Sequence, residues 1–246
     1  IFLLLISLVI VVFVSTFIIP VSQDLEYHNF EDKRMYSGIM HFWNVVTNIP
    51  FIIIGIVGFF KIHKRRLSGI LPDLSRAYLA FFTGLVLTGL GSIYYHLNPS
   101  NLTLVGDRMG ITITFMSFFV LIFGESISTK TASRLLIPMI FLGLSSVVYW
   151  NITENLGKGD LRFYAIVQFL PIILIPLMLF MYGSCLSGRR WILAIVLVYG
   201  VAKVAEIFDD KIFELIGFSG HSLKHLIAAF GAFIFLRGLE LRKPIK

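Results

Sequence analysis

Long apolar segments separated by short polar connectors make up most of this 246-residue chain. A transmembrane helix needs about 20 mostly apolar residues, and the pattern predicts eight such helices. Their bounds are 1–20, 42–61, 77–97, 108–125, 134–151, 161–182, 190–207 and 219–238. Prolines inside these segments are tolerated, because neighbouring membrane helices re-satisfy the backbone carbonyls that proline frees. The chain is therefore expected to be all-α.

The eight segments divide into one N-terminal helix and a bundle of seven. Residues 1–20 are expected to form a transmembrane helix or a signal anchor, followed by an acidic outer or lumenal segment at 21–41. The seven-helix domain then covers 42–238, and a basic cytoplasmic tail covers 239–246. No fixed-period repeat or low-complexity tract indicates a further domain. The expected architecture is a polytopic seven-helix transmembrane bundle preceded by one extra helix.

Composition agrees with the membrane assignment. With 57% hydrophobic residues, 14% charged residues and a mean hydropathy of +0.87, the chain holds more apolar surface than a soluble domain of its length buries. The net charge of +7 comes from basic residues scattered among the connectors, which argues against nucleic acid as a partner. Cys185 is the single cysteine, so neither an intrachain disulfide nor a thiolate metal cluster forms.

The basic residues of the connectors predict the orientation. The connectors near 61–76, 130–134, 189–190 and 237–246 carry about twice as many lysines and arginines as the alternate set. The positive-inside rule assigns them, and with them the C-terminus, to the cytoplasm. The alternate connectors then face the outside or the lumen.

Two motifs border those outer connectors. Ser92 and His96 end one apolar segment, Asp107 follows across a short loop, and His221 and His225 open the last segment. Residues four apart lie on one face of a helix, so three imidazoles converge from two helices. Three histidines with a fourth position open to water are the ligand set of catalytic zinc. The motifs therefore predict a zinc-dependent hydrolase.

The order of these motifs resembles the CREST superfamily of seven-helix membrane hydrolases, which includes the alkaline ceramidases and the adiponectin-type receptors. That superfamily carries Ser-x3-His on one helix, Asp at the start of the next and His-x3-His on the last. The stretch HFWNVVTN at residues 41–48 is also similar to the Glu-Phe-Trp-Asn segment of the alkaline ceramidases. Within that family, the chain resembles a bacterial-like branch.

The resemblance implies both a ligand set and a reaction. His96, His221 and His225 would bind Zn²⁺, Asp107 would be the general base and proton carrier, and Ser92 would stabilise the oxyanion. The substrate would be a ceramide-like membrane lipid, cleaved at its N-acyl bond to a sphingoid base and a fatty acid. The site would lie near the outer or lumenal face of the bilayer.

Two positions depart from the alkaline ceramidases. His41 stands where that family has a calcium-binding Glu, so calcium is expected to bind weakly, at Asp24, Glu26 and Asn29, because calcium prefers oxygen ligands. Lys224 lies between the two histidines of the last helix, and a cation there would favour a substrate with an anionic group.

Other interpretations stay open. Taken singly, Asp107 also suits a helix N-cap, and Ser92 suits a hydroxyl bonded to a carbonyl one turn earlier. Aromatic residues near the motifs are either a lipid pocket wall or plain packing; they are Tyr94, Tyr95, Phe115, Phe118 and Phe119. For the whole chain, the alternatives are a zinc-dependent acyl hydrolase of another membrane lipid and a non-catalytic adiponectin-receptor-like membrane protein. The sequence predicts no particular oligomeric state.

Overall fold

The computed structural model describes residues 2–64 and 66–245, and this part of the chain is helical without β-strands. Ile1, Arg65 and Lys246, which belong to the predicted first helix, a basic connector and the basic tail, lie outside the described residues. The α-helices are α1 (Phe2–Phe17), α2 (Phe42–Val46), α3 (Ile49–His63), α4 (Ser75–Leu97), α5 (Asn101–Ser126), α6 (Thr129–Asn155), α7 (Arg162–Met181), α8 (Arg190–Ile207), α9 (Asp209–Ile216) and α10 (Gly220–Leu241). Short 3-10 helices cover Leu25–His28 and Pro72–Leu74.

Six helical stretches are long and apolar enough to cross a membrane. They are Phe42–His63, Pro72–Leu97, Asn101–Ser126, Thr129–Asn155, Arg162–Met181 and Gly220–Leu241. A seventh is present if α8 and α9, which meet at a bend of 80°, count as one span. The predicted all-α polytopic bundle with an additional N-terminal helix is confirmed. That additional helix, α1, is 16 residues long, shorter than predicted, and none of its residues is buried.

One boundary differs from the prediction in a way that affects the site. Helix α5 begins at Asn101 rather than at residue 108, because Ser100 is its N-cap. The Ser100 hydroxyl accepts a hydrogen bond from the Thr103 amide, and the Thr103 hydroxyl accepts one from the Ser100 amide. Asp107 consequently lies in the second turn of the helix, and its interpretation as an N-cap is wrong.

Glycines let α4 and α5 pack at close range. A Cβ added at Gly91 would lie 2.5 Å from the carbonyl oxygen of Gly106, and one at Gly110 would lie 2.4 Å from the Thr88 amide nitrogen. Small residues allow membrane helices to approach in this way. The close packing brings Ser92 of α4 against Asp107 of α5.

The opposite end of the bundle is closed by a buried ion pair. Arg242, which follows α10, donates to the Glu125 carboxylate of α5, and both side chains are almost completely buried. The Ser184 hydroxyl also donates to this carboxylate. Arg242 belongs to the predicted basic tail, but its side chain is part of the interior.

Candidate metal centre and cavity

Three histidine side chains converge at one end of the bundle. His96 lies in the last turn of α4, and His221 and His225 lie in the first two turns of α10. Their ring centroids are 5.0 Å apart in each pair, and one nitrogen from each lies within 4.8 Å of the other two. All three are buried.

The start of α10 is fixed by its N-cap. The Ser219 hydroxyl accepts from the His221 amide at 3.1 Å and donates to the Asp209 carboxylate at 2.7 Å. The same carboxylate oxygen accepts from the His221 amide at 3.0 Å. A Cβ at Gly220 would lie only 2.2 Å from the Ala205 carbonyl oxygen, so glycine permits the close packing of α10 on α8. Together these contacts set the position of His221.

The orientation of His225 is set by neighbours on the turn between α2 and α3. Nδ1 of His225 lies 3.0 Å from the Thr47 hydroxyl oxygen and 3.2 Å from the Asn48 side-chain nitrogen, and the Thr47 hydroxyl donates to the Trp43 carbonyl at 2.6 Å. These contacts engage Nδ1 and leave Nε2 of His225 free to bind a metal, and partners of this kind orient the imidazole of a metal ligand.

The residues of the cluster fit a metal ion with nitrogen ligands. Nδ1 of His96 is buried and has no hydrogen-bond partner among the described residues, an arrangement that costs free energy unless another group satisfies it. Lys224 Nζ lies 3.0 Å from Nε2 of His221 and 2.8 Å from the Glu206 carboxylate. Metal binding through that nitrogen therefore requires the ammonium to turn toward Glu206.

The segment before α2 covers the cluster. The Phe30 ring is 2% exposed and lies 4.6 Å from the His96 ring and 4.7 Å from the His221 ring. Next to it, the His28 imidazole contacts the Tyr95 hydroxyl at 2.8 Å. The histidines are thus shielded from the aqueous side by a chain segment outside the bundle.

A cavity of about 420 Å³ extends from the cluster between the helices. Ser92, Asp107 and His225 line its polar end. The rest of the wall is mostly apolar and includes Phe51, Phe81, Phe115, Phe118, Ile172 and Ile175. Of the aromatic residues considered in the sequence, Phe115 and Phe118 belong to this wall. Tyr94, by contrast, is 58% exposed on the outer surface of α4.

A charged group beside the cavity was missed in the sequence. Glu206 of α8 accepts from Lys203 at 2.6 Å, from Lys224 at 2.8 Å and from the Tyr27 hydroxyl at 3.1 Å. Burial, together with the charge of Glu206, raises the pKa of Tyr27, so that this hydroxyl stays protonated and donates. A glutamate inside an apolar segment was the available signal, since ionisable residues in membrane helices tend to be functional.

The residues considered for calcium lie in one exposed turn. Asp24 accepts from the Glu26 amide at 3.0 Å and caps the 3-10 helix Leu25–His28. The Asn29 side chain donates to the Glu26 carboxylate at 3.2 Å. The three side chains are therefore neighbours, and the calcium site stays a prediction.

Another acidic side chain in the segment before α2 was not anticipated from the sequence. Asp32 is fully buried and accepts from the side chain and the amide of Arg34. Burial opposes its ionisation, but these hydrogen bonds and the arginine charge outweigh burial and hold the pKa of Asp32 below its ordinary value. The His41 imidazole lies 3.1 Å from the backbone carbonyl oxygen of Asp32. This contact links the start of α2 to the same residue.

Comparison with known proteins gives one match. The family model described as Ceramidase matches residues 31–204, which is more than half of the chain. Ser92, His96 and Asp107 lie within the matched residues, and His221 and His225 follow them. No curated protein and no solved structure matches the chain.

Proposed function

Since the chain belongs to the Ceramidase family, whose members are amide hydrolases acting on an N-acyl bond, we propose that it is a zinc-dependent membrane amidase. Its substrate is a ceramide-like sphingolipid, and its products are a sphingoid base and a fatty acid. The observation that carries the proposal is the buried three-histidine cluster at the polar end of an apolar cavity, with Asp107 and Ser92 beside it.

The apolar cavity supports a lipid substrate. Its volume lies in the range of small-molecule sites, and its wall is predominantly hydrophobic with a few polar groups at one end. An acyl chain packed against Phe81 and Phe118 would leave its amide at the level of Ser92 and Asp107. The orientation of the lipid follows from the polarity of the cavity.

The reaction is metal-assisted hydrolysis in which this chain supplies the proton transfers. A zinc ion held by His96, His221 and His225 would acidify water and polarise the amide carbonyl. Asp107 takes a proton from the attacking water and then gives it to the leaving amine, as general base and then general acid. Ser92 donates a hydrogen bond to the carbonyl oxygen as negative charge develops there. Phe30 excludes bulk water from the outer side.

The placement in the membrane is part of the proposal. The C-terminus is cytoplasmic, because the connectors on that side carry the larger share of basic residues. The histidine cluster lies at the other end of the bundle, near the outer or lumenal face. A tag at the C-terminus should then be labelled only in permeabilised cells, and labelling in intact cells would reverse the assignment.

The activity is tested on purified protein in lipid nanodiscs. Products released from a panel of N-acyl and O-acyl lipids are identified by mass spectrometry, with and without a metal chelator. We expect fatty acid and sphingoid base from ceramides, loss of activity on chelation and recovery with zinc. Release from O-acyl lipids alone would indicate an acyl hydrolase of another lipid. A metal-loaded protein without turnover would indicate a receptor-like role.

Two variants test the residue assignments. His96→Ala should lose the metal, measured as zinc content per chain. Asp107→Asn should keep the metal and the fold, because Ser100 rather than Asp107 caps α5, and hydrolysis should fall by about 10²–10⁴-fold. A folded, metal-loaded Asp107→Asn protein with the parent rate would remove the general-base assignment. Calcium is tested separately, by the effect of Asp24→Ala on the calcium dependence of the rate.

A further inference from the structure

An arginine in the second turn of α5 is buried at the edge of the cavity. Arg108 follows Asp107 directly and is 7% exposed. Its guanidinium lies 4.0 Å from the centre of the Trp150 ring and 4.7 Å from the centre of the Tyr164 ring. Stacking against two aromatic rings holds the planar group in one orientation.

The guanidinium is only partly satisfied by the protein. Nη2 donates to the Gln23 side-chain oxygen, whereas Nη1 is buried and has no hydrogen-bond partner in residues 2–64 and 66–245. None of the ion pairs within those residues includes Arg108. The Glu154 carboxylate accepts hydrogen bonds from the Trp150 indole and from the Gln23 backbone amide. A buried charge without an anionic partner is costly, and such groups in membrane proteins mark functional sites.

The other cations at the cavity are already paired. Lys203 and Lys224 both donate to the Glu206 carboxylate and therefore share it. Lys224, which was expected to favour an anionic substrate, is thus already bound to a carboxylate, which it shares with Lys203. Arg108 lines the same cavity as Asp107 and Ser92, and its Nη1 has no hydrogen-bond partner among the described residues.

We propose that Arg108, held by Gln23, Trp150 and Tyr164, binds an oxyanion on the head group of the lipid, with phosphate on the primary hydroxyl of an N-acyl sphingoid base as the preferred form. The planar fork of arginine matches the oxygens of a phosphate, and charge-assisted hydrogen bonds of this kind are stronger than neutral ones. The inference rests on the proposed function only in taking the ligand to be an N-acyl lipid.

Binding is measured without turnover, so that the result does not depend on hydrolysis. The probes are two ceramide analogues in which a methylene group replaces the amide nitrogen, one with a free primary hydroxyl and one with a phosphate there. The zinc-loaded full chain is studied in nanodiscs of zwitterionic lipid. We expect the phosphorylated analogue to bind at least about tenfold more tightly. Equal affinity of the two analogues would overturn the proposal, whether or not the protein hydrolyses ceramide.

Two variants assign the preference to Arg108. Arg108→Gln removes the charge, and Gln23→Glu keeps Arg108 and its stacking but supplies a carboxylate at the atom that Nη2 contacts. Both should lose the preference for phosphate while binding the hydroxyl analogue as the parent does. Gln23→Glu covers the case in which Arg108→Gln fails to fold. A preference that persists in Gln23→Glu and in any folded Arg108→Gln would refute the subsite.

A matched control separates a specific contact from general charge. Lys203→Gln removes one positive charge from the same cavity and should keep the preference, because Lys203 is paired with Glu206. An equal loss in this variant would overturn the assignment to Arg108. A second experiment adds millimolar inorganic phosphate as a competitor of the two lipid analogues. Competition by phosphate, without any preference between the two analogues, would identify a free anion instead of a lipid head group as the ligand.

Discussion

Replacing Gly91 with alanine tests whether the close approach of α4 and α5 sets the geometry of the proposed catalytic site. The added Cβ would lie 2.5 Å from the Gly106 carbonyl oxygen and 2.9 Å from the Asp107 amide nitrogen. Both atoms are backbone and cannot rotate away. The helices must therefore separate, and Ser92 and His96 on α4 move relative to Asp107.

The size of the effect follows from a matched variant across the same contact. A Cβ at Gly106 would meet nothing closer than the Gly91 Cα at 4.0 Å, an ordinary contact. Both substitutions gain about 1 kcal/mol of helix propensity. Only Gly91→Ala also requires the helices to move apart by about 1 Å, since non-bonded carbon and oxygen atoms prefer about 3.5 Å. Overpacking of this kind costs about 1–3 kcal/mol, which is the expected difference between the two free energies of unfolding.

The assay compares the two variants in parallel. Unfolding is followed in nanodiscs, and the rate of fatty-acid release is measured at saturating lipid. We expect Gly106→Ala to be at least as stable as the parent and active, and Gly91→Ala to be less stable. Its rate should fall by up to about 10²-fold, as for catalytic groups misplaced by about 1 Å. Equal unfolding and equal rates in the two variants would refute the claim that this contact positions Ser92 against Asp107.

Three further predictions concern single contacts. Thr47→Val should weaken metal binding by about 10–100-fold, measured by chelator competition, because it removes a hydroxyl that contacts Nδ1 of His225 and orients its ring. Ser100→Ala should lower the free energy of unfolding by about 1 kcal/mol in denaturant titrations, with zinc content unchanged. Hydrogen bonds from Arg162 lower the pKa of Asp160 to about 2, so this carboxylate stabilises the fold above about pH 4 and the stabilisation is lost as pH falls toward 2. Asp160→Asn should flatten the thermal-stability profile in that window, and an unchanged profile would contradict the assignment.

The bundle itself was predictable because membrane helices leave a local signal. Each span is a continuous apolar stretch, and hydropathy detects such stretches without knowledge of the neighbouring helices. The spacing of His221 and His225 likewise places both side chains on one face before any fold is known. The structure brings His96 to the same end because α4 and α10 run in opposite directions.

Helix boundaries and hydrogen-bond partners were less predictable from the sequence. The start of α5 was missed because Asn101 and Asp107 interrupt the apolar pattern before residue 108, whereas the Ser100 and Thr103 cap places these residues in the helix. Lys203 lies one turn before Glu206 on α8, so helical spacing indicates the contact between them. Tyr27 and Lys224 come from the segment before α2 and from α10, and only the fold brings them to Glu206. No periodicity along the chain reports such contacts.

The same limit explains the expectation for Lys224. Its position between two histidines suggested an open cation, because sequence spacing shows a charge but not its counter-charge. In the structure, Glu206 supplies that counter-charge. Nη1 of Arg108 has no partner among the described residues, and the aromatic rings beside this guanidinium are contributed by α6 and α7. Neither fact is visible in the residues next to Arg108.

Arg108 and Arg242 are buried at opposite ends of the bundle and differ in their partners. Arg242 is paired with Glu125, and removing one partner of a buried pair leaves the other charge unpaired, at a cost of about 3–5 kcal/mol. Arg108 has no such partner among the described residues, so Arg108→Gln removes a desolvated charge and loses mainly its contact with the aromatic rings, worth about 2 kcal/mol. Denaturant titration should therefore show Arg242→Gln to be the more destabilised variant. The reverse order would mean that Arg108 holds the fold together, and its role in binding a head group would lose its physical basis.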